Sequence, residues 1–403
     1  MPNSRIIESL SNYILTDGFH IVVDLEKSHG SFIVDAETGK EYLDCYSQFA
    51  SQPLGWNHPS LTKARWQLGQ VALQKIANSD MYSMEYETFV KKFAEITPDF
   101  KHYFFIDGGA LGVENALKAS FDWKAQKRGI RSAEAINKLD VLHLADAFHG
   151  RTGYTLSLTN TDRIKTKWFP KFDWTTAYDL DHIERYMHDD VAAIIVEPIQ
   201  GEGGDNHFPP ALFRSLRKLA DEYESMLIFD EVQTGVGMTG KMWAYEHFGV
   251  VPDMLCFGKK TQVCGFCSTG RIDEEGGNVF NVSGRINSTW GGNLVDMVRF
   301  CHIADAVQSE NLLVNAKDVG QYLLWHLRCI EGLDNVRGRG LMIAFDLPST
   351  EERDKMMSVL QENMLALNCG DRSIRLRPHL TFSKEDANLA HEYISKALEK
   401  IRT

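Results

Sequence analysis

Three groups of residues have the types and spacing that chemistry uses. The first is Asp107-Gly108-Gly109-Ala110-Leu111-Gly112, between an apolar run and an amphipathic one. Glycines let a backbone approach an anion closely, and a helix starting there presents free N–H groups at the positive end of its dipole. The stripe Val113, Ala116, Leu117 and Phe121, with Glu114 four residues before Lys118, supports such a helix. An ordinary tight turn has the same sequence appearance. No lysine follows as in a nucleoside-triphosphate loop, and the three spaced glycines of a dinucleotide site are incomplete. The second group is Ile228-Phe229-Asp230-Glu231-Val232-Gln233-Thr234-Gly235, an acid directly after an apolar strand. Such an acid can hold Mg²⁺, cap a helix or face a cationic ligand atom. The third is Cys256-Phe257-Gly258-Lys259-Lys260-Thr261. A lysine at a strand end, partly buried, has a depressed pKa and can act as a nucleophile. A solvated surface pair of lysines is the alternative.

These residues need elements to hold them. Short apolar runs end in polar or glycine-rich turns at Ile106, Leu144, Val196, Phe229 and Phe257. Helical stretches separate them, among them Leu111 to Gln126 and Ala211 to Tyr223. That rhythm predicts an α/β fold with a mostly parallel sheet wrapped by helices. In such sheets ligands bind beyond the carboxyl ends of the strands. Asp107, Glu197, Asp230 and Lys259 would then converge on one rim. Before this region, Ser60 to Ile76 and Ser83 to Ile96 read as helices, and Phe32-Ile33-Val34 with Glu41-Tyr42-Leu43 read as a hairpin. From about residue 305 the pattern changes to long helices, the run Val336 to Leu347 and further short strands. The expected organisation is an N-terminal segment (1–58) and a C-terminal segment (305–403) building one small α+β domain. Residues 59–304 would form a large domain between them.

Composition narrows the class. The chain has 403 residues, 43 % hydrophobic and 24 % charged, enough apolar material for a sizeable core. A net charge of −12 without a basic patch argues against nucleic acid as a partner. No apolar run approaches the ~20 residues of a membrane span, and the N-terminus reads as polar and amphipathic rather than as a signal peptide. Seven cysteines, an odd number thinly spread, read as reduced thiols in a cytoplasmic protein. No cluster suggests a metal site.

The combination is more specific than its parts. Pyridoxal 5'-phosphate needs a phosphate cradle, an acid facing its pyridine nitrogen and a lysine for its aldehyde. The glycine turn, Asp230 and Lys259, 29 residues further on, supply one of each. From about Phe32 to Pro378 the chain resembles the class III aminotransferases, fold-type I pyridoxal-phosphate enzymes. The resemblance lies in Tyr42-Leu43-Asp44, Pro53-Leu54-Gly55-Trp56-Asn57-His58-Pro59, Ala147-Phe148-His149-Gly150-Arg151, Glu197-Pro198-Ile199-Gln200-Gly201-Glu202-Gly203-Gly204 and the Asp230 segment. Gly108-Gly109-Ala110-Leu111, the run Gly153 to Thr161, the run Phe257 to Gly265 and Asn287-Ser288-Thr289-Trp290-Gly291-Gly292-Asn293 are similar to the members that act on the 6-amino group of L-lysine.

The resemblance implies roles. Lys259 would be the Schiff-base lysine and afterwards move the proton between substrate carbon and cofactor; Lys260 is the rival, and the family pattern favours the lysine directly after Gly258. Asp230 would keep the pyridine nitrogen protonated. Phe148 and Val232 would cover the two ring faces, Gln233 would bind the ring hydroxyl, and Glu197 would hold this shell. His149 would support the ring rather than act as a base. Gly109 and Ala110 would give phosphate donors, with Thr289 reaching the phosphate from a neighbouring subunit of a homodimer. Arg375 would bind the α-carboxylate of glutamate or 2-oxoglutarate, and Glu202 would act as its gate, covering it while lysine reacts. Arg151 and Asn287 would position lysine's carboxylate. The products would be glutamate and 2-aminoadipate 6-semialdehyde, with ornithine, 4-aminobutyrate or a diamine as alternative donors. A catalytically silent binding protein and a nucleotide-dependent dehydrogenase are the rival readings. Lys259, Asp230 and Arg375 count against the first, and the missing third glycine against the second. Arg377 reads as an ordinary strand-face charge, and Cys264-Gly265-Phe266-Cys267 as part of the cofactor segment rather than a redox pair. Asp146, His379 and the segment 129–139 depart from the family pattern.

Overall fold

The computed structural model describes residues 4–402. Strands β1 (Phe32–Val34) and β2 (Glu41–Asp44) form the expected antiparallel hairpin, with Phe32 opposite Leu43. The central sheet holds seven strands. Its first members along the chain are β3 (His102–Ile106), β4 (Asp140–Leu144), β5 (Thr176–Ala177) and β6 (Val191–Val196). Past the end of β6, β7 (Ile199–Gln200) and β8 (Asn206–His207) make a two-residue ribbon. The sheet continues with β9 (Met226–Asp230), β10 (Met254–Phe257) and β11 (Cys264–Ser268), in the order β3-β11-β10-β9-β6-β4-β5. Four of its pairings are parallel; β11 alone runs against both neighbours. The sequence rhythm predicted β3, β4, β6, β9 and β10 but neither the short parallel β5 nor β11.

Every residue of β6 and β9 is buried, the signature of strands covered on both faces. Side chains alternate between two cores. Ala193, Ile195, Met226 and Ile228 join Val113, Leu117 and Trp123 of the helix Gly109–Lys127. Ile194, Val196, Leu227 and Phe229 join Leu212, Phe213 and Leu216 of the helix Pro210–Glu222. The helix Gly109–Lys127 lies tight against β11: a Cβ on Gly112 would stand 2.7 Å from the Gly265 carbonyl oxygen.

Beyond the sheet, the helices Leu294–Ser309 and Leu312–Arg328 are followed by an antiparallel sheet. It is built from β12 (Asp334–Arg339) and β13 (Met342–Asp346), then, after β14 (Met364–Leu365), from β15 (Leu367–Cys369) and β16 (Ser373–Leu376). The apolar run Val336 to Leu347 is thus a hairpin, turned at Gly340 with φ +58°. Strand β14 leaves its neighbours and pairs in parallel with β2, so both ends of the chain share one sheet. The helix Leu294–Ser309 runs across residues 304 and 305, where a boundary between domains is expected. No helix among the described residues is long and apolar enough to cross a membrane.

Candidate active site

The carboxyl ends of β3, β4, β6, β9 and β10 open on one cavity of about 820 Å³. It is lined by Gly109, Ala110, Phe148, His149, Arg151, Glu197, Glu202, Asp230, Val232, Gln233, Lys259 and Arg375. Twelve of the fourteen residues expected at the site therefore meet. Asn287 and Thr289 do not: both are exposed and neither lines the cavity of its own chain.

At the start of the helix Gly109–Lys127, Gly108 takes φ +115°. Its carbonyl accepts the N–H groups of Leu111 and Gly112 at 3.1 Å each. The N–H groups of Gly109 and Ala110 have no acceptor among the described residues, and both residues line the cavity at the positive end of the helix dipole. Space here is tight by design of the sequence. A Cβ on Gly109 would meet Val232 Cγ1 at 3.0 Å, and one on Gly258 would meet Cys264 Sγ at 3.0 Å.

Asp230 ends β9. Its Oδ2 lies 2.8 Å from His149 Nδ1, and its Oδ1 accepts the Val232 N–H at 3.1 Å. The His149 Nε2, fully buried, has no partner among the described residues. Glu197 accepts the N–H groups of Phe148 at 2.9 Å and Gly201 at 3.1 Å, which ties the β4 and β6 ends together. Burial, reinforced by nearby Asp230, raises its pKa.

The two adjacent lysines separate. Lys259, in the left-handed region at φ +53°, directs its amine to the cavity, where no hydrogen-bond partner meets it among the described residues. Burial, with Arg375 adding repulsion, lowers its pKa to about 8. Lys260 turns the other way and donates to the carbonyls of Gln233 at 2.6 Å and Ala50 at 3.2 Å. Lys260 therefore holds the loop and Lys259 is the free amine.

Arg375 on β16 is 5 % exposed, yet its Nε and Nη1 have no partner among the described residues. An unpaired buried guanidinium is costly unless a ligand completes it. Glu202 does not cover it here. The Glu202 carboxylate accepts a hydrogen bond from Thr161 Oγ1 at 3.0 Å and pairs with Lys165.

Arg377 corrects the sequence reading. It is no solvated strand-face charge but a fully buried one, paired with Asp205 and donating from Nε to Gln233 Oε1 at 3.1 Å. A guanidinium only donates, so it must meet the amide oxygen and leaves the Gln233 NH₂ free to donate. Asp146, unexplained in the sequence, takes φ +58° with an exposed side chain, a conformation that aspartate tolerates well. Its carbonyl fills the space beside Gly203. Cys264 lines the cavity while Cys267 packs in the core and approaches the Leu255 carbonyl, so the two thiols do not form a pair. Lys165 and Asp205 carried no motif signal. Their partners, Glu202 and Arg377, lie 37 and 172 residues away.

These residues fit pyridoxal 5'-phosphate: free N–H groups at a helix start for its phosphate, a buried acid for its ring nitrogen, and an unpartnered amine for its aldehyde. Together with the mostly parallel α/β sheet they define a pyridoxal-phosphate enzyme of fold type I. The family profile of class-III aminotransferases matches residues 14–398, and the chain belongs to that family of transaminating enzymes. It is 43 % identical to an L-lysine-epsilon aminotransferase of Amycolatopsis lactamdurans, over 98 % of this chain and 96 % of that one. It is 44 % identical to an L-lysine-epsilon aminotransferase of Mycobacterium tuberculosis, over 98 % and 95 %. The solved lysine aminotransferase of M. tuberculosis in its internal aldimine form superposes with a TM-score of 0.93 at 44 % identity, covering 98 % of this chain and 99 % of that one.

Proposed function

We propose that this aminotransferase takes the 6-amino group of L-lysine and passes it to 2-oxoglutarate, giving 2-aminoadipate 6-semialdehyde and glutamate. The observation that carries the reading is Arg375: a buried guanidinium with two unpaired nitrogens in the cavity of the free amine Lys259. It suits a substrate carboxylate bidentately. The lysine-specific names of the relatives support the donor.

When bound, the cofactor supplies the electron sink. The chain's own residues do the rest. Gly109 and Ala110 N–H groups would hold the phosphate, and Phe148 and Val232 would enclose the ring. Asp230, oriented by His149, would keep a proton on the ring nitrogen because a close carboxylate favours the cation. The Gln233 NH₂ would be free to donate to the ring oxygen, and Glu197 braces the loop. Lys259, about half neutral near pH 8, would be the amine that holds the cofactor and the group that carries the proton at its Nζ. Arg151 lies at the rim for the distal carboxylate of lysine.

The site is shared in a homodimer on this reading. The loop of Asn287 and Thr289 is tied to residues 75–79: Asn78 Nδ2 donates to the Gly292 carbonyl at 3.0 Å, and Lys75 Nζ stands 4.4 Å from the Trp290 ring. Nearby in sequence, Leu73, Met81, Tyr82 and Met84 are exposed by 66 % or more. Such exposed apolar groups suit a docked second copy, which would bring Asn287 and Thr289 to its partner's cavity. Seven free cysteines support a cytoplasmic location. The pairing of β2 with β14 supports a small domain of both chain ends around the large one.

The test is a half-reaction with L-lysine, ornithine or 4-aminobutyrate, followed by cofactor absorbance, at fixed 2-oxoglutarate for full turnover. Lysine is expected to react fastest, and Lys259→Ala to slow it by at least about 10³-fold. A clear preference for ornithine overturns the donor assignment.

A further inference from the structure

The carboxylate of Glu202 pairs with one cation, Lys165, and shares its cavity with another, Arg375; only the second was legible from the motifs. Glu202, Arg151 and Arg375 line the same cavity. The backbone of Glu202 is fixed, since its carbonyl accepts the Gly370 N–H at 2.9 Å. Its side chain is about a quarter exposed. In this structure it faces Lys165 and Thr161, and the Arg375 guanidinium stays bare.

Lys165 is built for this position. It ends the short turn Arg163–Lys165, which Asp162 fastens by accepting the Ile164 N–H at 2.9 Å and the Lys165 N–H at 3.2 Å. Its ammonium also stands 5.7 Å from the centroid of the Phe148 ring, at the cavity edge. Besides Glu202, the charges that face it are Asp162, Arg151 and Arg375.

We propose that Lys165, with Thr161, is a berth for the Glu202 carboxylate that keeps Arg375 open for the dicarboxylate substrate. Glu202 then chooses between two cations, and Lys165 sets how often Arg375 is bare. The pair is partly exposed, hence weak and exchangeable, as a device that must yield in each half of the reaction requires. Lys165 is a positioning residue: it acts on the dicarboxylate through Glu202. The inference rests on the reading of Arg375 as the carboxylate site.

The experiment measures binding of glutarate, a dicarboxylate without a keto group, to the holoenzyme by calorimetry. Lys165→Met is expected to weaken glutarate binding about tenfold, because Glu202 falls back on Arg375 and the competent fraction drops. Lys165→Arg is expected to restore it. In a Glu202→Gln background, Lys165→Met is expected to change nothing. Equal weakening in both backgrounds would mean that Lys165 touches the ligand directly, and no weakening in either would mean that it is idle; both overturn the proposal. Far-UV circular dichroism and cofactor absorbance check that the variants fold. If Arg375→Lys leaves glutarate binding intact, the carboxylate reading of Arg375 fails, and the berth with it. If Arg375→Lys abolishes binding while the Lys165 variants behave alike, only the berth fails.

Discussion

Two neighbouring lysines show how far a single rotation of the chain reaches. Gly258 and the left-handed turn at Lys259 aim one amine into the cavity and the next into two backbone carbonyls. The amine of Lys259 is neutral above about pH 8, where an ordinary lysine needs a pH beyond 10.5. The neutral amine is the nucleophile, so capture of pyridoxal phosphate by the apoenzyme is expected to speed up until about pH 8 and then level off. Stopped-flow absorbance checks this; a rate still climbing at pH 10 contradicts it. The same shift has a sign for stability. The folded state binds the proton more weakly than the unfolded one, so this group's contribution rises with pH between about 8 and 10.5. Arg377 makes the opposite point about charge. Fully buried with Asp205, it is expected to cost about 3–5 kcal/mol when replaced in Arg377→Met, since a lone buried carboxylate remains. Urea unfolding of the apoenzyme measures it, and removing Asp205 as well is expected to return part of the loss.

The elements explain what the sequence made visible and what it hid. Residues at strand ends were legible because an apolar run followed by Glu197, Asp230 or Lys259 carries both the strand and its rim; Asp107, expected to join them, is exposed, pairs with Lys75 and does not line the cavity. Strand β11 was hidden: Cys-Gly-Phe-Cys-Ser has no β-branched residue and one glycine, so no propensity announces it. Burial between β3 and β10, not local preference, makes it a strand. Asp205, Lys165 and the true setting of Arg377 were hidden for another reason: their meaning depends on a partner distant along the chain. The helix that begins the phosphate cradle depends on β11 in turn. Gly112→Ala forces a Cβ to 2.7 Å from the Gly265 carbonyl, so the helix must shift at a cost of about 1–3 kcal/mol. Thermal unfolding and cofactor retention are both expected to fall. A variant that keeps native stability but binds the cofactor normally would show that the contact is loose.

For the whole molecule, the charge of −12 argues against nucleic acid as a partner and otherwise says little, because function depends on where a few charges sit. The shared site proposed for the dimer has a sharp signature. Lys259→Ala subunits and Thr289→Ala subunits are each expected to be weak alone. Refolded together they form mixed dimers with one doubly damaged site and one site whose lysine and threonine are both native. Activity is expected to reappear on mixing; its absence at full dimerisation contradicts a threonine supplied across the interface.

The pairing of β2 with β14 reaches beyond the finished enzyme. Asp44 ends β2 and Met364 begins β14, 320 residues later. A ribosome adding roughly 5–20 residues per second takes about 16–64 s to cover that stretch. Throughout that interval the edge of β2 that β14 will cover has no strand to pair with, whenever the hairpin forms. Strands of three and four residues, with Lys40 and Glu41 beside the turn, are poor templates for a neighbouring chain. The brevity of the first sheet is thus a safeguard during synthesis, and its closure by β14 marks the moment when the emerging polypeptide can become one body.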